Sequence, residues 1–378
     1  MPELIKPSNG NDTSYQRKVY AIASGKGGVG KTVTAASLGV GLASLGSEVI
    51  LVDADFGGAN LHTCMGVLKP EYNFDDFYSN RRKPLADFIV DTPVRNLRMI
   101  SGSCGSMSLA NLKYHQKLRL IRGLKKLPAD HIIMDLGAGS DFNVIDLFLL
   151  ADAHFLIVSA EPAAIHEAFG FLRICLFRGF KHILRERVEV LEVIKKAEMV
   201  KPGEIHLTIE ELLNKMSAVD PEARFKAVSF MNAFEPKIIV NKVRTRADLD
   251  EGLAIQYAAW ELLSMRTEYV GYISFDEKVS EAVRNFKPFL LYDRKARASQ
   301  DMSALIRVKF LGKKGLKDFF AKRRWHKKLL DLSFMYPDIE LSKDALICSD
   351  ACFYWGDCDY QDEGNPCQVR HLESMLAH

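Results

Sequence analysis

No run of about eighteen apolar residues occurs anywhere in the chain, so no segment is long and apolar enough to span a bilayer as a helix. Met1-Pro2-Glu3-Leu4-Ile5-Lys6-Pro7-Ser8 lacks both the basic stretch and the apolar core of a secretory signal. Excess charge is missing too. Lys and Arg number 51 against 48 Asp and Glu, a net of +3, which excludes a general nucleic-acid coat and leaves electrostatic partners to local clusters. Cysteine is sparse in the body, where Cys64, Cys104 and Cys175 stand far apart, so no secreted disulfide framework is encoded. Internal repeats and low-complexity tracts are absent. The expectation from these absences is a cytoplasmic globular protein.

What is present is ordinary globular material. At about 150 residues per domain, 378 residues make two to three domains, or one large domain with appendages. Hydrophobic residues, at 48%, suffice for a sizeable core. Residues 1–17 are polar and read as a flexible arm. From Lys18, short β-branched runs alternate with helical patterns, which predicts an α/β fold with a mostly parallel, doubly wound sheet. Strands are expected at Val19–Ala23, Val49–Val52, Leu97–Ile100, Ile132–Asp135, Phe155–Ser159, Lys237–Val240 and Tyr269–Ile273. Helices are expected between them, among others at Thr32–Leu45, Asp141–Leu149 and Ala163–Phe177. Residues 181–235 hold no good strand. Helical spacing of Leu184, Val188, Leu191 and Ile194, a Thr208/Glu211 capping box and the Asp220-Pro221 pair predict a helical insertion on an α/β body spanning 18–311.

The strongest motif is Gly25-Lys26-Gly27-Gly28-Val29-Gly30-Lys31-Thr32, which satisfies G-x-x-x-x-G-K-[ST] after an apolar strand and before a helix. Glycines let backbone N–H groups close around phosphate oxygens, and the helix start adds a favourable dipole. Lys31 is placed to reach β- and γ-phosphates, and Thr32 to ligate Mg²⁺. The plain alternative is a glycine-rich turn without a ligand.

Lys26, a second lysine early in this loop, makes it resemble the deviant P-loop of the MinD/ParA ATPases. Further segments resemble that family in the same order. They are Val52–Leu61, Ile133–Gly139, Ser159–Pro162, Val240–Val243, Tyr272–Asp276 and Lys287–Phe289. Asp135-Leu136-Gly137-Ala138-Gly139 and Gly271-Tyr272-Ile273 with Asp276 look most like the FlhG branch, a flagellar number regulator. The resemblance covers about residues 18–310 outside 181–235.

It implies a Mg²⁺-dependent ATPase that dimerises on ATP, with slow turnover raised by an activating protein. In such a dimer, Lys26 crosses to the partner's nucleotide and neutralises charge on the transferred phosphoryl group. Asp55 orients the attacking water, and Asp53 and Asp135 hold the Mg²⁺ shell partly through water. Gly137 offers its N–H to the γ-phosphate, and Asn241 reads the adenine edge. For each Asp taken alone, helix capping is the plain alternative.

Two C-terminal segments stand apart. Residues 312–330 place Leu316, Phe319 and Phe320 on one helical face amid Lys and Arg, the make-up of an amphipathic helix for an anionic membrane surface. Packing onto the body and DNA binding, as in partition proteins, are the other readings. The acidic tail, 331–378, carries Cys348, Cys352, Cys358 and Cys367, whose thiolates could hold Zn²⁺ or an Fe–S cluster or remain reduced and metal-free. Nitrogenase iron-protein relatives of this fold carry an Fe–S cluster between subunits, and Cys104 is similar in place to one of its ligands. Leu136–Ser140 has no cysteine for the second, so the resemblance does not extend to a bridging cluster. The function expected is therefore a nucleotide-timed spatial or regulatory switch. A cluster-carrying or assembly ATPase and a DNA partition ATPase are its rivals.

Overall fold

A strand whose every residue is buried needs a layer on each face, and the centre of this sheet is made of such strands. The computed structural model describes residues 17–102, 112–199 and 207–309. Its strands are Lys18–Ser24 (β1), Val49–Ala54 (β2), Val90–Asp91 (β3), Leu97–Ile100 (β4), His131–Ala138 (β5), Ala153–Ser159 (β6), Lys237–Val243 (β7) and Glu268–Ser274 (β8). They form one sheet in the order β3-β4-β2-β5-β1-β6-β7-β8. Every pair is parallel except β3 with β4. All of β2 and β6 is buried, as their uninterrupted apolar runs demand. The fold is the mostly parallel α/β class expected from the sequence, with Leu97–Ile100 as expected and the other six expected strands lengthened by two to four residues. The two-residue edge strand β3 was not among them, since so short a piece carries no periodicity.

Helices cover both faces: Lys31–Ser44 (α1), Leu61–Cys64 (α2), Phe74–Ser79 (α3), Tyr114–Leu124 (α4), Phe142–Leu149 (α5) and Pro162–Ile183 (α6). Then follow Val188–Glu198 (α7), Ile209–Val219 (α8), Pro221–Ala233 (α9), Glu251–Leu263 (α10), Glu277–Arg284 (α11), Phe289–Tyr292 (α12) and Arg297–Lys309 (α13). The α6 helix outruns its expected end at Phe177 because buried Phe180 continues its apolar face. Thr208 caps α8 reciprocally with Glu211, and Asp220 accepts from Glu222 N at 2.9 Å ahead of Pro221, as those short motifs suggested. Among the described residues no helix is long and apolar enough to cross a membrane.

One buried titratable group ties the layers together. His154 on β6 stacks edge-on against Phe148 of α5 and Phe234 after α9, with ring centroids 5.3 and 4.9 Å away. Its Nε2 is buried without a hydrogen-bond partner. Burial, aided by the Lys237 charge, lowers its pKa to about 4. Since the unfolded imidazole titrates near pH 6.5, the unfolded state binds the extra proton between pH 6.5 and 4, so stability falls as the pH drops through that window. Urea unfolding at pH 7 and pH 5 should show His154→Phe losing about 2 kcal/mol less than the parent over this interval. Equal losses would remove His154 as the source.

The sheet order also fixes where a site can lie. Strand β1 sits between β5 and β6, and the chain passes from β5 on one side to β6 on the other. Such a reversal opens a crevice at the carboxyl ends of the strands. The loop from β1 to α1 lies there.

Candidate functional site

The loop Gly25–Gly30 is built from glycine for two different reasons. Gly28 and Gly30 adopt φ of 79° and 93°, left-handed values that disfavour other residues. A Cβ on Gly25 would instead lie 2.4 Å from the Glu167 carbonyl oxygen, because α6 passes directly behind the loop. Gly30 is the N-cap of α1 and supplies no side chain, so no side-chain acceptor meets the first N–H groups of the helix. They make a nest for an anion.

Beneath the loop, adjacent parallel strands place Asp53 of β2 and Asp135 of β5 in register. Both are fully buried. Lys31 Nζ donates to Asp135 Oδ1 at 2.6 Å and lies 4.0 Å from Asp55 Oδ2. The Asp53 carboxylate accepts from the backbone N–H groups of Asp55 at 3.3 Å and Leu61 at 3.1 Å. Burial, and then the charge of Asp135, push the Asp53 pKa up to about 8. Burial also raises Asp135, against the opposing pull of the Lys31 ammonium and the Thr32 hydroxyl.

Asp135 thus pairs with a buried ammonium while Asp53 lies in register beside it, and Asp135 Oδ2 and Ser24 Oγ have no hydrogen-bond partner. The donor set is hard oxygen, which fits Mg²⁺. Among the described residues no group of three or more His, Cys, Asp or Glu side chains is placed to hold a metal.

Asp55 leaves the end of β2 and turns back on itself. Its Oδ1 accepts from Gly57 N at 3.3 Å and Gly58 N at 2.9 Å. The same oxygen lies 3.5 Å from the position a Cβ on Gly137 would take, so Asp55 and the end of β5 meet at the cleft. The cleft has a volume of about 600 Å³, and Gly27, Gly28, Gly30, Lys31, Thr32, Asp55 and Asn241 all line it. Val29 is buried in the loop.

Lys26, expected to cross to a partner's nucleotide, is not among the residues that line the cleft. Its Nζ is 2.9 Å from Glu161 Oε2, at the start of α6. Asn241, expected at a base, donates from Nδ2 to the Val29 carbonyl at 2.8 Å and accepts from Lys242 N at 2.9 Å.

Several lining residues were not singled out from the sequence. Cys64 and Thr63 of α2 also line the cleft. Burial and the Asp135 and Asp53 charges push the Cys64 thiol up to about 11, so it stays protonated. Ser274, Phe275, Val279, Val283 and Phe289 form the opposite wall, where the Arg244 guanidinium lies 3.6 Å from the Phe275 ring centroid. The only signal for Ser274, Phe275 and Phe289 was their membership in the Tyr272–Asp276 and Lys287–Phe289 segments, and Val279 and Val283 had none. Residues 1–16, Cys104, the 312–330 stretch, and Cys348, Cys352, Cys358 and Cys367 lie outside the described residues.

A glycine nest at the switch point of a parallel sheet, with a lysine and two carboxylates under it, defines a P-loop nucleotide-binding protein. The family model for the CobQ/CobB/MinD/ParA nucleotide binding domain matches residues 20–289, and the chain belongs to that family. The septum site-determining protein MinD of Helicobacter pylori is 27% identical over 266 residues, 67% of this chain and 92% of that one. The antiactivator FleN of Pseudomonas aeruginosa is 31% identical over 159 residues, 42% of this chain and 56% of that protein. Among solved structures, MinD of Pyrococcus horikoshii, complexed with Mg-ADP, superposes with a TM-score of 0.52 at 21% identity, covering 79% of this chain and 98% of that one.

Proposed function

We propose that the chain is a Mg²⁺-dependent ATPase that dimerises around ATP and serves as a spatial or regulatory switch of the MinD/FlhG kind. The observation that carries this reading is the buried Lys31–Asp135–Asp53 set beneath a glycine nest, with a second lysine, Lys26, held outside it on the exposed rim.

In this reading the nest N–H groups bind the phosphates, and Lys31 turns from Asp135 towards the β- and γ-phosphates. Thr32, Asp53 and Asp135 hold Mg²⁺, partly through water. The ion supplies charge neutralisation for the departing phosphate oxygens. Asp55 orients the attacking water and accepts its proton. Gly137 senses the γ-phosphate through its N–H, and Asn241 meets the base. Phosphoryl transfer asks chiefly for such positioning and charge stabilisation.

Lys26 would have to leave Glu161 to reach a partner's nucleotide. Both side chains of that pair are well exposed, at 39% and 62%, so solvent screens the pair and it contributes little. It is a parking place that a dimer can outcompete. Lys26→Ala should bind Mg·ATP as the parent does yet remain monomeric in sedimentation with Mg·ATP. Glu161→Gln should dimerise as well as the parent, or up to about fivefold more tightly. A Lys26→Ala protein that dimerises normally would end the crossing role.

Outside the described residues, an anionic membrane surface for 312–330 and an activating protein are the partners this reading carries. Flotation with anionic liposomes, with and without Mg·ATP, tests the first. Steep salt-dependent DNA affinity would favour the partition alternative instead.

A further inference from the structure

A nest that turns N–H groups towards an anion leaves some loop carbonyls without helical partners. Here the Gly30 carbonyl enters α1 by accepting from Thr34 N at 3.0 Å. Those of Gly28 and Val29 are met from β7 instead. Lys242 Nζ donates to the Gly28 carbonyl at 2.6 Å, and Asn241 Nδ2 to that of Val29 at 2.8 Å. Two consecutive side chains of β7 therefore grip two consecutive carbonyls of the loop.

The grip has a backbone cause. Lys242 sits at φ 59°, a left-handed conformation uncommon for a residue with a side chain. The pairing of β7 with β8 loses register between Val240 and Val243, across this residue. Asn241 Oδ1 braces the turn by accepting from Lys242 N. The twist directs the ammonium to the loop, and Lys242 forms no ion pair within 4.0 Å among the described residues. Glu161, the carboxylate that feels its charge, is hydrogen-bonded to Lys26.

We propose that Lys242 is a positioning residue for nucleotide binding. By holding the Gly28 carbonyl it presets the left-handed turn at Gly28, and with Asn241 it fixes the nest before any phosphate arrives. This rests on the proposed ATPase reading and acts on the loop, not on the reacting atoms. Lys242 is exposed, so the fold itself does not depend on it. A charge-assisted hydrogen bond to a loop that must otherwise be ordered by the ligand is worth about 10- to 100-fold in affinity.

The test compares the full-length parent with Lys242→Met, which keeps the stem and loses the ammonium, and with Lys242→Arg, which keeps a donor. Calorimetry should show the Kd for Mg·ADP rising about 10- to 100-fold in Lys242→Met and recovering most of that in Lys242→Arg. The KM for ATP should rise in parallel with little change in kcat, because the nest grips ground and transition states alike. Melting temperatures should agree, and adenosine, titrated in competition with a fluorescent ADP, should bind all three proteins equally. If Lys242→Met binds Mg·ADP as the parent does, the proposal is overturned. An equal loss for adenosine would make Lys242 a base contact, and a fall in kcat at constant KM would place it at the transferred group; either overturns it. A parent protein that binds no Mg·ADP would defeat the ATPase reading first and the clamp with it.

Discussion

Replacing Lys31 by alanine is expected to abolish nucleotide binding and to weaken the fold of the free protein as well. The second effect separates Lys31 from a lysine that merely meets phosphate. Its ammonium is buried, 2.6 Å from Oδ1 of Asp135, a carboxylate that water does not reach. Removing one partner of a buried pair leaves the other uncompensated, which typically costs about 3–5 kcal/mol. Asp135 will instead take up a proton, and that gives the variant a pH signature. A carboxyl group whose folded pKa lies above its unfolded value, near 3.9, binds protons more tightly in the native state. Stability is then lost as the pH rises above that value towards the folded pKa. Urea unfolding of Lys31→Ala should therefore show the deficit growing between pH 5 and pH 8, while calorimetry detects no Mg·ATP binding at a level about a thousandfold weaker than the parent. A variant as stable as the parent at pH 8 would mean that Asp135 is solvated in solution.

How much of this could be read without a structure depends on where the signal resides. The central strands were legible because full burial imposes continuous apolar runs such as Val49–Val52 and Phe155–Ser159. The loop was legible because glycine at Gly28 and Gly30 answers a backbone demand that few other residues meet. Asp53 and Asp135 were assigned to one Mg²⁺ shell from a resemblance, and the β2–β5 register sets the two side by side on neighbouring strands. Lys242 gave no comparable signal. Its contact with Gly28 spans 214 positions in the chain and depends on a left-handed turn in a β7 residue, which no periodicity encodes. The expected adenine contact of Asn241 overlooked the Val29 carbonyl for the same reason. Gly25 was read as part of a phosphate cradle, whereas the nearest demand on it is the backbone of α6 at Glu167.

Asp55→Asn should cut ATP hydrolysis by about 100- to 1,000-fold while Mg·ATP binding persists and the dimer accumulates. Asparagine is the informative replacement because Asp55 has two separable jobs. Its Oδ1 accepts from Gly57 N and Gly58 N and so shapes the loop after β2. An asparagine carbonyl can accept the same two bonds. Its second oxygen, 4.0 Å from Lys31 Nζ at the cleft, is the one free to orient water and take a proton, and an amide nitrogen there does neither. Asp55→Ala removes both jobs and should add a loss of nucleotide affinity that Asp55→Asn lacks. Single-turnover hydrolysis and sedimentation with Mg·ATP separate the outcomes. If Asp55→Asn turns over like the parent while Asp55→Ala does not, the carboxylate is a loop brace and the water is oriented elsewhere. Loss of turnover in both, with a persistent dimer in Asp55→Asn, ties the chemistry to the one oxygen that the loop leaves unbonded.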